Sequence, residues 1–338
     1  MLASRQNTVY ALGPLACFLL SMLACSCGGK QNQPADGGTL PRVKLQLNWV
    51  AEPEFGGFYA AAQQGLFRAA GLDVELVQGG PGVPAPQLVA SGQVEFAVVA
   101  GPQILQLKEQ GGDLVALFAV YQGNPLGLMV HEDSPHKTLA QLWQSDTTVS
   151  IESGLADFRW LDKVYPGSKH QIVTYSASLA EFATNAKLAA QCFITSEPVS
   201  LELKGIKTRV FMMGESGFDP YNAVIVTKRS YWQANQARCA ALVRACAKGW
   251  RCYLDDPTPT NEAMSKLNSG MSLLAMQRAA AIQRRLVEND DTKRLGLGCM
   301  TAARWQLTTD QLSQLGQIKI HPEPDSLFVW DQNGDITR

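Results

Sequence analysis

Residues 44–77 read KLQLNWVAEPEFGGFYAAAQQGLFRAAGLDVELV, and this stretch decides the fold class. Apolar and polar residues alternate over residues 43–49, which predicts a β-strand. A helical run over residues 58–69 follows, and residues 74–77 predict a second strand. A strand, a helix and a strand at this spacing favour a right-handed crossover between parallel strands.

The same alternation of strands and helices continues along the chain in two blocks. The first block adds predicted strands at 94–100 and 114–121, and helices at 86–90 and 102–110. The second block predicts strands at 126–130, 148–151, 172–174, 192–194, 209–212 and 223–227. The rest of the chain is predicted to be helical, at 232–254, 260–268, 272–288 and 309–315. We therefore expect an α/β protein of two lobes, each a mainly parallel sheet flanked by helices.

The chain is expected to cross between the two lobes twice. Lobe one is predicted to comprise residues 43–126 and 227–338, and lobe two residues 127–226. Ligands of open α/β sheets bind beyond the carboxyl ends of the strands. A ligand cleft is therefore expected between the lobes.

The composition excludes several classes of protein. Of the 338 residues, 46% are hydrophobic and 17% are charged, which is enough apolar material for a folded core. The 29 basic residues are balanced by 30 acidic ones, so the net charge is −1. Nucleic acid is an unsuitable partner, because its phosphate backbone requires concentrated positive charge.

The N-terminal residues have the pattern of an export signal. Arg5 precedes an apolar stretch over residues 9–25, which is short for a membrane span. Its end, MLAC at residues 22–25, resembles a bacterial lipobox. We predict a lipoprotein signal peptide at 1–24, lipidation of Cys25 and a flexible tether at 25–42. Cys27 is the competing lipid site, and an ordinary cleaved signal is the alternative interpretation.

The remaining chemistry-bearing residues give no sign of a metal or cofactor site. The four histidines lack a metal-ligand spacing with other histidines, cysteines or carboxylates. Nucleotide-binding glycine motifs and the GxSxG elbow of serine hydrolases are absent from the sequence. Cys239, Cys246 and Cys252 are too far apart along one helix to bridge each other. A bridge to Cys299 and simple burial of these cysteines both stay open.

Aromatic and acidic side chains gather where predicted strands end. The candidates are Trp49, Glu54, Phe55, Gly57 and Tyr59 behind the first strand, and Tyr121, Glu152 and Tyr221 at later strand ends. Aromatic rings at such positions can stack on a planar ligand, and carboxylates can accept hydrogen bonds from its amino groups. The alternative is that the aromatic residues belong to the core.

Several motifs in order resemble one family of binding proteins. They are KLQLNW at 44–49, EFGGFYAAAQQGLFRAAGLDVELV at 54–77, QLVASGQVEFAV at 87–98, QCFITSEP at 191–198 and GFDPYNAVIVT at 217–227. Together they resemble the substrate-binding lipoproteins of bacterial ABC importers, in the superfamily of nitrate, taurine and alkanesulfonate binding proteins. Within it they are most similar to the branch that binds thiamine pyrimidine precursors. The resemblance spans residues 43–230.

The resemblance implies a fold, a function and a set of ligand contacts. The implied fold is the two-lobed periplasmic binding protein fold of type II. The residues implied to line or flank the cleft are Trp49, Gly57, Tyr59, Glu197, Gly217, Phe218, Pro220 and Tyr221. The implied protein is an exported, lipid-anchored monomer without a cofactor that delivers a small planar heterocycle to an ABC permease and its ATPase subunit.

Two alternatives to a pyrimidine-binding receptor stay open at this point. A flavin or flavin precursor could use the same aromatic walls. The resemblance also extends to eukaryotic pyrimidine-precursor synthases, which use pyridoxal phosphate and consume their own histidine. This chain departs from those enzymes, since Phe55 stands where they usually have histidine and their cysteine-rich motif is absent. We therefore expect no enzyme activity.

Overall fold

The computed structural model describes residues 39–176 and 178–330. The strands are β1 (Arg42–Gln46), β2 (Asp73–Val77), β3 (Phe96–Val99), β4 (Leu114–Tyr121), β5 (Leu126–His131), β6 (Thr148–Ile151), β7 (Gln171–Thr174), β8 (Leu188–Phe193), β9 (Thr208–Met212) and β10 (Asn222–Lys228). The helices are α1 (Gly56–Gln63), α2 (Leu66–Ala69), α3 (Ala85–Ser91), α4 (Gly101–Glu109), α5 (Leu139–Trp143), α6 (Ala156–Val164), α7 (Ala180–Thr184), α8 (Glu197–Glu202), α9 (Arg229–Ala234), α10 (Gln236–Asp255), α11 (Thr258–Leu267), α12 (Leu273–Val287), α13 (Asp290–Leu295) and α14 (Ala302–Gln314).

The first sheet has the strand order β2-β1-β3-β10-β4. Strands β1, β2 and β3 are parallel, while β10 runs antiparallel to β3 and β4. Alternate residues of β3 enter different apolar clusters, with Phe96 and Val98 in one and Ala97 and Val99 in the other. Both faces of this sheet are therefore buried, as a mainly parallel sheet requires.

The second sheet repeats this arrangement with the order β7-β6-β8-β5-β9. Strands β6, β7 and β8 are parallel, and β5 is antiparallel to β8 and β9. Each sheet thus contains one reversed strand, β10 in the first and β5 in the second. Each is the first strand after the chain passes from one sheet to the other.

The two passages between the sheets lie at slightly different residues from those predicted. The predicted boundaries at 126/127 and 226/227 fall inside β5 and β10, whose residues pair in the second and first sheet respectively. An apolar run shows that a strand exists but not which sheet it joins. Hydrogen bonds tie the first passage to the second, since the Asn124 backbone N–H donates to Asp219 at 2.6 Å.

The C-terminal half is helical, as predicted, and packs on the first sheet. Two predicted helices are each divided into two. Residues 58–69 form α1 and α2 because Gly65 adopts a left-handed conformation, with φ of 68°, between them. Residues 232–254 fall in α9 and α10, which are separated at Asn235.

The structure leaves some predictions on the N-terminal segment untested. The predicted signal peptide, Cys25, Cys27 and most of the tether lie outside the described residues. No helix within the described ranges is long and apolar enough to cross a membrane. The thiols of Cys192, Cys239, Cys246, Cys252 and Cys299 are all free.

Candidate functional site

A cleft opens where the carboxyl ends of β1, β6, β7 and β8 face one another. It has a free volume of about 510 Å³, including space open to solvent. From the side of the first sheet it is lined by Asn48, Trp49, Glu52 and Glu54. From the side of the second sheet it is lined by Glu152, Tyr175, Gln191, Phe193, Ser196 and Glu197. This is the position at which α/β sheets bind ligands.

A glycine-rich turn extends the cleft beside Trp49. A side chain at Gly79 would place its Cβ 2.3 Å from the Leu47 carbonyl oxygen, so only glycine allows this close approach. The Gly79 backbone N–H donates to the Trp49 carbonyl at 2.9 Å, which fixes the loop that carries the indole. Gly80 and Gly82 then line the wider part of the cleft. The turn therefore positions Trp49 as well as reversing the chain.

Aromatic rings form part of both walls of the cleft. Trp49 is half-buried on the first side, and Tyr175 and Phe193 lie on the second. Flat rings on opposite walls can enclose a planar ligand by stacking, which contributes about 0.5–1.5 kcal/mol per pair beyond burial of area.

Three carboxylates meet in the cleft, and the pKa of each is raised. Burial, together with the charge of Glu197, raises the pKa of Glu52 from 4.5 to about 7. Burial, followed by the charges of Glu52 and Glu197, raises the pKa of Glu54 well above its ordinary range. Burial also raises the pKa of Glu197. These carboxyl groups therefore hold their protons to higher pH than exposed carboxyl groups do.

Glu197 is held by donors of the protein itself. The Tyr175 hydroxyl donates to one carboxylate oxygen at 2.5 Å, and the Phe193 backbone N–H donates to the other at 2.8 Å. Both carboxylate oxygens therefore accept a hydrogen bond from the protein. This arrangement fixes the Tyr175 ring at the wall of the cleft, so Glu197 lines the cleft and also positions a neighbour.

One hydrogen bond joins the two sides of the cleft directly. The Ser196 hydroxyl, just before α8, donates to the Glu52 carboxylate at 2.9 Å. Glu52 follows β1 of the first sheet, and Ser196 follows β8 of the second. The Glu52 carboxylate therefore contacts the opposite side of the cleft.

Four residues of the predicted ligand-binding set line the cleft. Trp49, Glu54, Glu152 and Glu197 all contribute to its surface. Glu152 is exposed at the end of β6, where its backbone N–H donates to the Gln191 side chain at 2.5 Å. Trp49, Glu54 and Glu152 were predicted because they follow strand ends, and Glu197 was predicted from the family resemblance.

The other five predicted residues do not line this cleft. Phe55 and Tyr121 are fully buried in the core, and Tyr121 donates to Gln283 at 2.9 Å. Tyr59 packs against the same core from α1, and burial raises the pKa of its hydroxyl to about 12. Each of these side chains points into the packed layer of helices, so we do not retain it in the candidate site.

Gly57 and Tyr221 also have packing roles. A Cβ at Gly57 would lie 2.2 Å from the Trp250 ring, so this glycine allows α1 to approach α10. Tyr221 is buried against Trp305, and its hydroxyl accepts a hydrogen bond from the Thr301 backbone N–H at 3.0 Å. The motif of Gly57 therefore marks a contact between two helices, and that of Tyr221 marks a contact between the residue before β10 and α14.

The predicted ligand-binding set leaves out six of the residues that line the cleft, of which Glu52 belongs to the acidic and aromatic turn already noted behind the first strand. They are Asn48, Glu52, Tyr175, Gln191, Phe193 and Ser196. Tyr175 directly follows β7, so the strand-end rule that selected Trp49 could also have selected it. Gln191 and Phe193 lie within β8, and their exposure to the cleft depends on the facing of the two sheets.

The titration of Glu52 predicts how the stability of the ligand-free protein changes with pH. Because the folded-state pKa is raised, the contribution of Glu52 is fully present below pH 4.5 and is lost as the pH rises through about 7. We expect this loss to be on the order of 3 kcal/mol in the free energy of unfolding, measured by urea denaturation across this pH range. Glu52→Gln should make the free energy of unfolding less dependent on pH, whereas substitution of the exposed Glu181 by Gln should not. An unchanged slope in Glu52→Gln would contradict the assignment.

The described part of the chain offers no alternative metal centre. No group of three or more histidine, cysteine, aspartate or glutamate side chains in it is arranged to hold a metal ion. His131 and His170 instead contact backbone carbonyls, those of Phe182 and Trp143.

Two curated proteins resemble this chain along most of its length. The riboflavin-binding protein RibY of Chloroflexus aurantiacus is 22% identical over 309 residues, which cover 86% of each chain. The formylaminopyrimidine-binding protein of Halalkalibacterium halodurans is 21% identical over 262 residues, 75% of this chain and 77% of that protein. The two relatives are named for different heterocycles.

A solved structure resembles the fold. The periplasmic aliphatic sulphonate binding protein SsuA of Escherichia coli superimposes with a TM-score of 0.64 at 15% identity, covering 87% of this chain and 93% of that one. The predicted α/β class and two-lobed periplasmic binding protein fold are thus confirmed. Residues 52–260, more than half of the chain, match the family model described as NMT1/THI5 like, and the protein therefore belongs to the NMT1/THI5-like family.

Proposed function

We propose that this protein is the substrate-binding component of an ABC importer and carries a small planar heterocycle to a membrane permease driven by a separate ATPase subunit. The observation that carries this proposal is the cleft between the two sheets, with Trp49 on one wall and Tyr175 and Phe193 on the other. Two lobes joined by two chain passages can close around a ligand by hinge bending.

The ligand proposed first is a pyrimidine precursor of thiamine. The relative named for formylaminopyrimidine supports this choice. The chemistry of the cleft supports it as well, because Glu52, Glu54 and the Asn48 amide oxygen are acceptors for the amino group of such a ring. The aromatic walls supply the stacking surface.

Riboflavin is the second candidate, and one specific observation favours it. The relative named for riboflavin matches over 86% of this chain, a larger share than the pyrimidine-binding relative matches. Its three-ring system could stack on the same aromatic walls.

The protein is proposed to bind its ligand without transforming it. A pyridoxal phosphate enzyme needs a lysine to hold the cofactor. Among the described residues, those that line the cleft beside Trp49 include neither lysine nor histidine. This composition supports a receptor over a synthase.

The cellular setting is proposed from the N-terminal sequence. An exported monomer held to the envelope membrane by a lipid on Cys25, or on Cys27, agrees with a carrier that works beside a permease. The tether at 25–42 would allow the folded part to reach that permease.

Calorimetric titration of the purified protein with formylaminopyrimidine and with riboflavin tests the proposal. We expect saturable one-to-one binding of formylaminopyrimidine and its recovery unchanged after release. Saturable binding of riboflavin alone would replace the first candidate by the second. Binding of neither compound, or conversion of a bound compound to product in the presence of pyridoxal phosphate, would overturn the proposed function.

A further inference from the structure

The carboxylates of the cleft have no cationic partner in the described structure. Neither Glu52, Glu54 nor Glu197 takes part in an ion pair there. Helix α12 packs against the turn carrying Glu54 and contains three arginines, of which Arg285 is exposed and the other two pair with carboxylates outside the cleft. Arg278 pairs with Glu202 at 3.4 Å, and Arg284 pairs with Glu288 at 2.8 Å. The positive charge that would balance the cluster must therefore come from protons or from a ligand.

Glu54 is the carboxylate that the protein leaves most clearly without a partner. Its side chain borders the cleft, and the residue is only 6% exposed. No residue in the described ranges donates a hydrogen bond to it, in contrast to Glu52 and Glu197. The Asn48 amide oxygen, on the same wall, is buried and also lacks a donor. Two buried acceptors are thus left for groups that the ligand supplies.

The other titratable groups that face this cluster do not supply positive charge. Burial raises the pKa of Tyr121, of Tyr175 and of the Cys192 thiol, so all three stay neutral at physiological pH. Glu152, at the mouth of the cleft, is an exposed acid. The electrostatic field in the cleft therefore favours a cation over a neutral molecule.

We infer that an amino-substituted heterocycle binds this cleft as its ring-protonated cation, with Glu54 and Glu52 as its counter-ions. This inference rests on the proposed function and specifies the charge state in which the ligand is held. A protonated ring nitrogen beside an amino group presents two parallel N–H donors, which match the two oxygens of one carboxylate. Asn48 accepts a further N–H of the amino group.

The proton can come from within the cleft. The O–H bond of a protonated Glu54 breaks, the ring nitrogen takes the proton and forms an N–H bond, and the carboxylate remains as the counter-ion. No proton is then exchanged with solvent in this step. A flavin ring is disfavoured by the same cluster, because its polar edge carries one N–H between two carbonyl oxygens, which would face the carboxylates.

Nuclear magnetic resonance of formylaminopyrimidine labelled with ¹⁵N in the ring tests the inference directly. The full-length protein is saturated with the compound at a pH at which the free ring is shown to be neutral. We expect the ring nitrogen of the bound compound to have the chemical shift of the protonated form. Glu54→Gln should abolish this shift and weaken binding by about tenfold to a hundredfold. Glu181→Gln, a matched change at an exposed position of α7, should leave both unchanged.

The possible results separate this inference from the proposed function. Saturable binding with a neutral-ring shift would overturn the inference and leave the receptor function standing. A protonated-ring shift that survives Glu54→Gln would also overturn it, since Glu54 would then be neither the proton donor nor the counter-ion. Failure of both formylaminopyrimidine and riboflavin to bind would instead remove the proposed function.

Discussion

Trp49→Ala is expected to weaken the binding of formylaminopyrimidine by about tenfold to a hundredfold. Trp49 lines the cleft together with Glu52 and Glu54, and the turn at Gly79 holds its backbone. Truncation removes a stacking surface and leaves a void that water would fill beside the ligand. Titration calorimetry on the wild type and the variant measures the difference in dissociation constant.

A second half-buried tryptophan provides a control for general loss of packing. Trp232 on α9 packs against the core of the first sheet and does not line the cleft. We expect Trp232→Ala to lower the free energy of unfolding while affinity stays close to that of the wild type. Wild-type affinity in Trp49→Ala would show that the aromatic wall is not part of the binding site.

Gly249→Ala is expected to lower the free energy of unfolding by about 1–3 kcal/mol. Gly249 lies inside α10, where it faces α1. An added Cβ would lie 2.2 Å from the Gly57 carbonyl oxygen and 2.6 Å from the Ala61 Cβ. The helices would have to separate, which would disturb the contact between the Phe58 and Trp250 rings, whose centroids are 5.9 Å apart.

The sign of this effect distinguishes close packing from helix propensity. Alanine is the better helix former by about 1 kcal/mol, so a glycine with free space beside it would gain stability on substitution. Gly214→Ala is the control, because its added Cβ would have no neighbour closer than 3.6 Å. We expect that variant to stay within about 0.5 kcal/mol of the wild type in urea denaturation. A more stable Gly249→Ala protein would contradict the close approach of the two helices.

The strands were the most predictable part of the fold. The predicted strands at 114–121 and 148–151 coincide with β4 and β6. Their apolar runs are short and rich in residues that favour strands, so local sequence is sufficient to locate them. The reversal of β5 and β10 was not predictable in this way, because strand direction depends on which neighbours a strand pairs with across the sheet.

The site was predictable in part, for the same physical reason. Trp49, Glu54 and Glu152 were found because a residue behind a strand end lies at the binding edge of a parallel sheet. Phe55 and Tyr121 obey the same positional rule but are fully buried. Whether a strand-end side chain faces the cleft or the core is set by the helices packed beside it.

The sequence by itself determined the α/β class, the family and the accumulation of aromatic and acidic residues near strand ends, because all three are properties of local pattern. Only the tertiary structure decided that Glu52, Glu54 and Glu197 share one cleft, since Glu197 lies more than 140 residues further along the chain than the other two. The charge balance of the site depends on these three carboxylates lying close together. The energy of a buried carboxylate depends on which charges and hydrogen-bond donors lie near it in space. Separation along the chain does not determine how close those groups are.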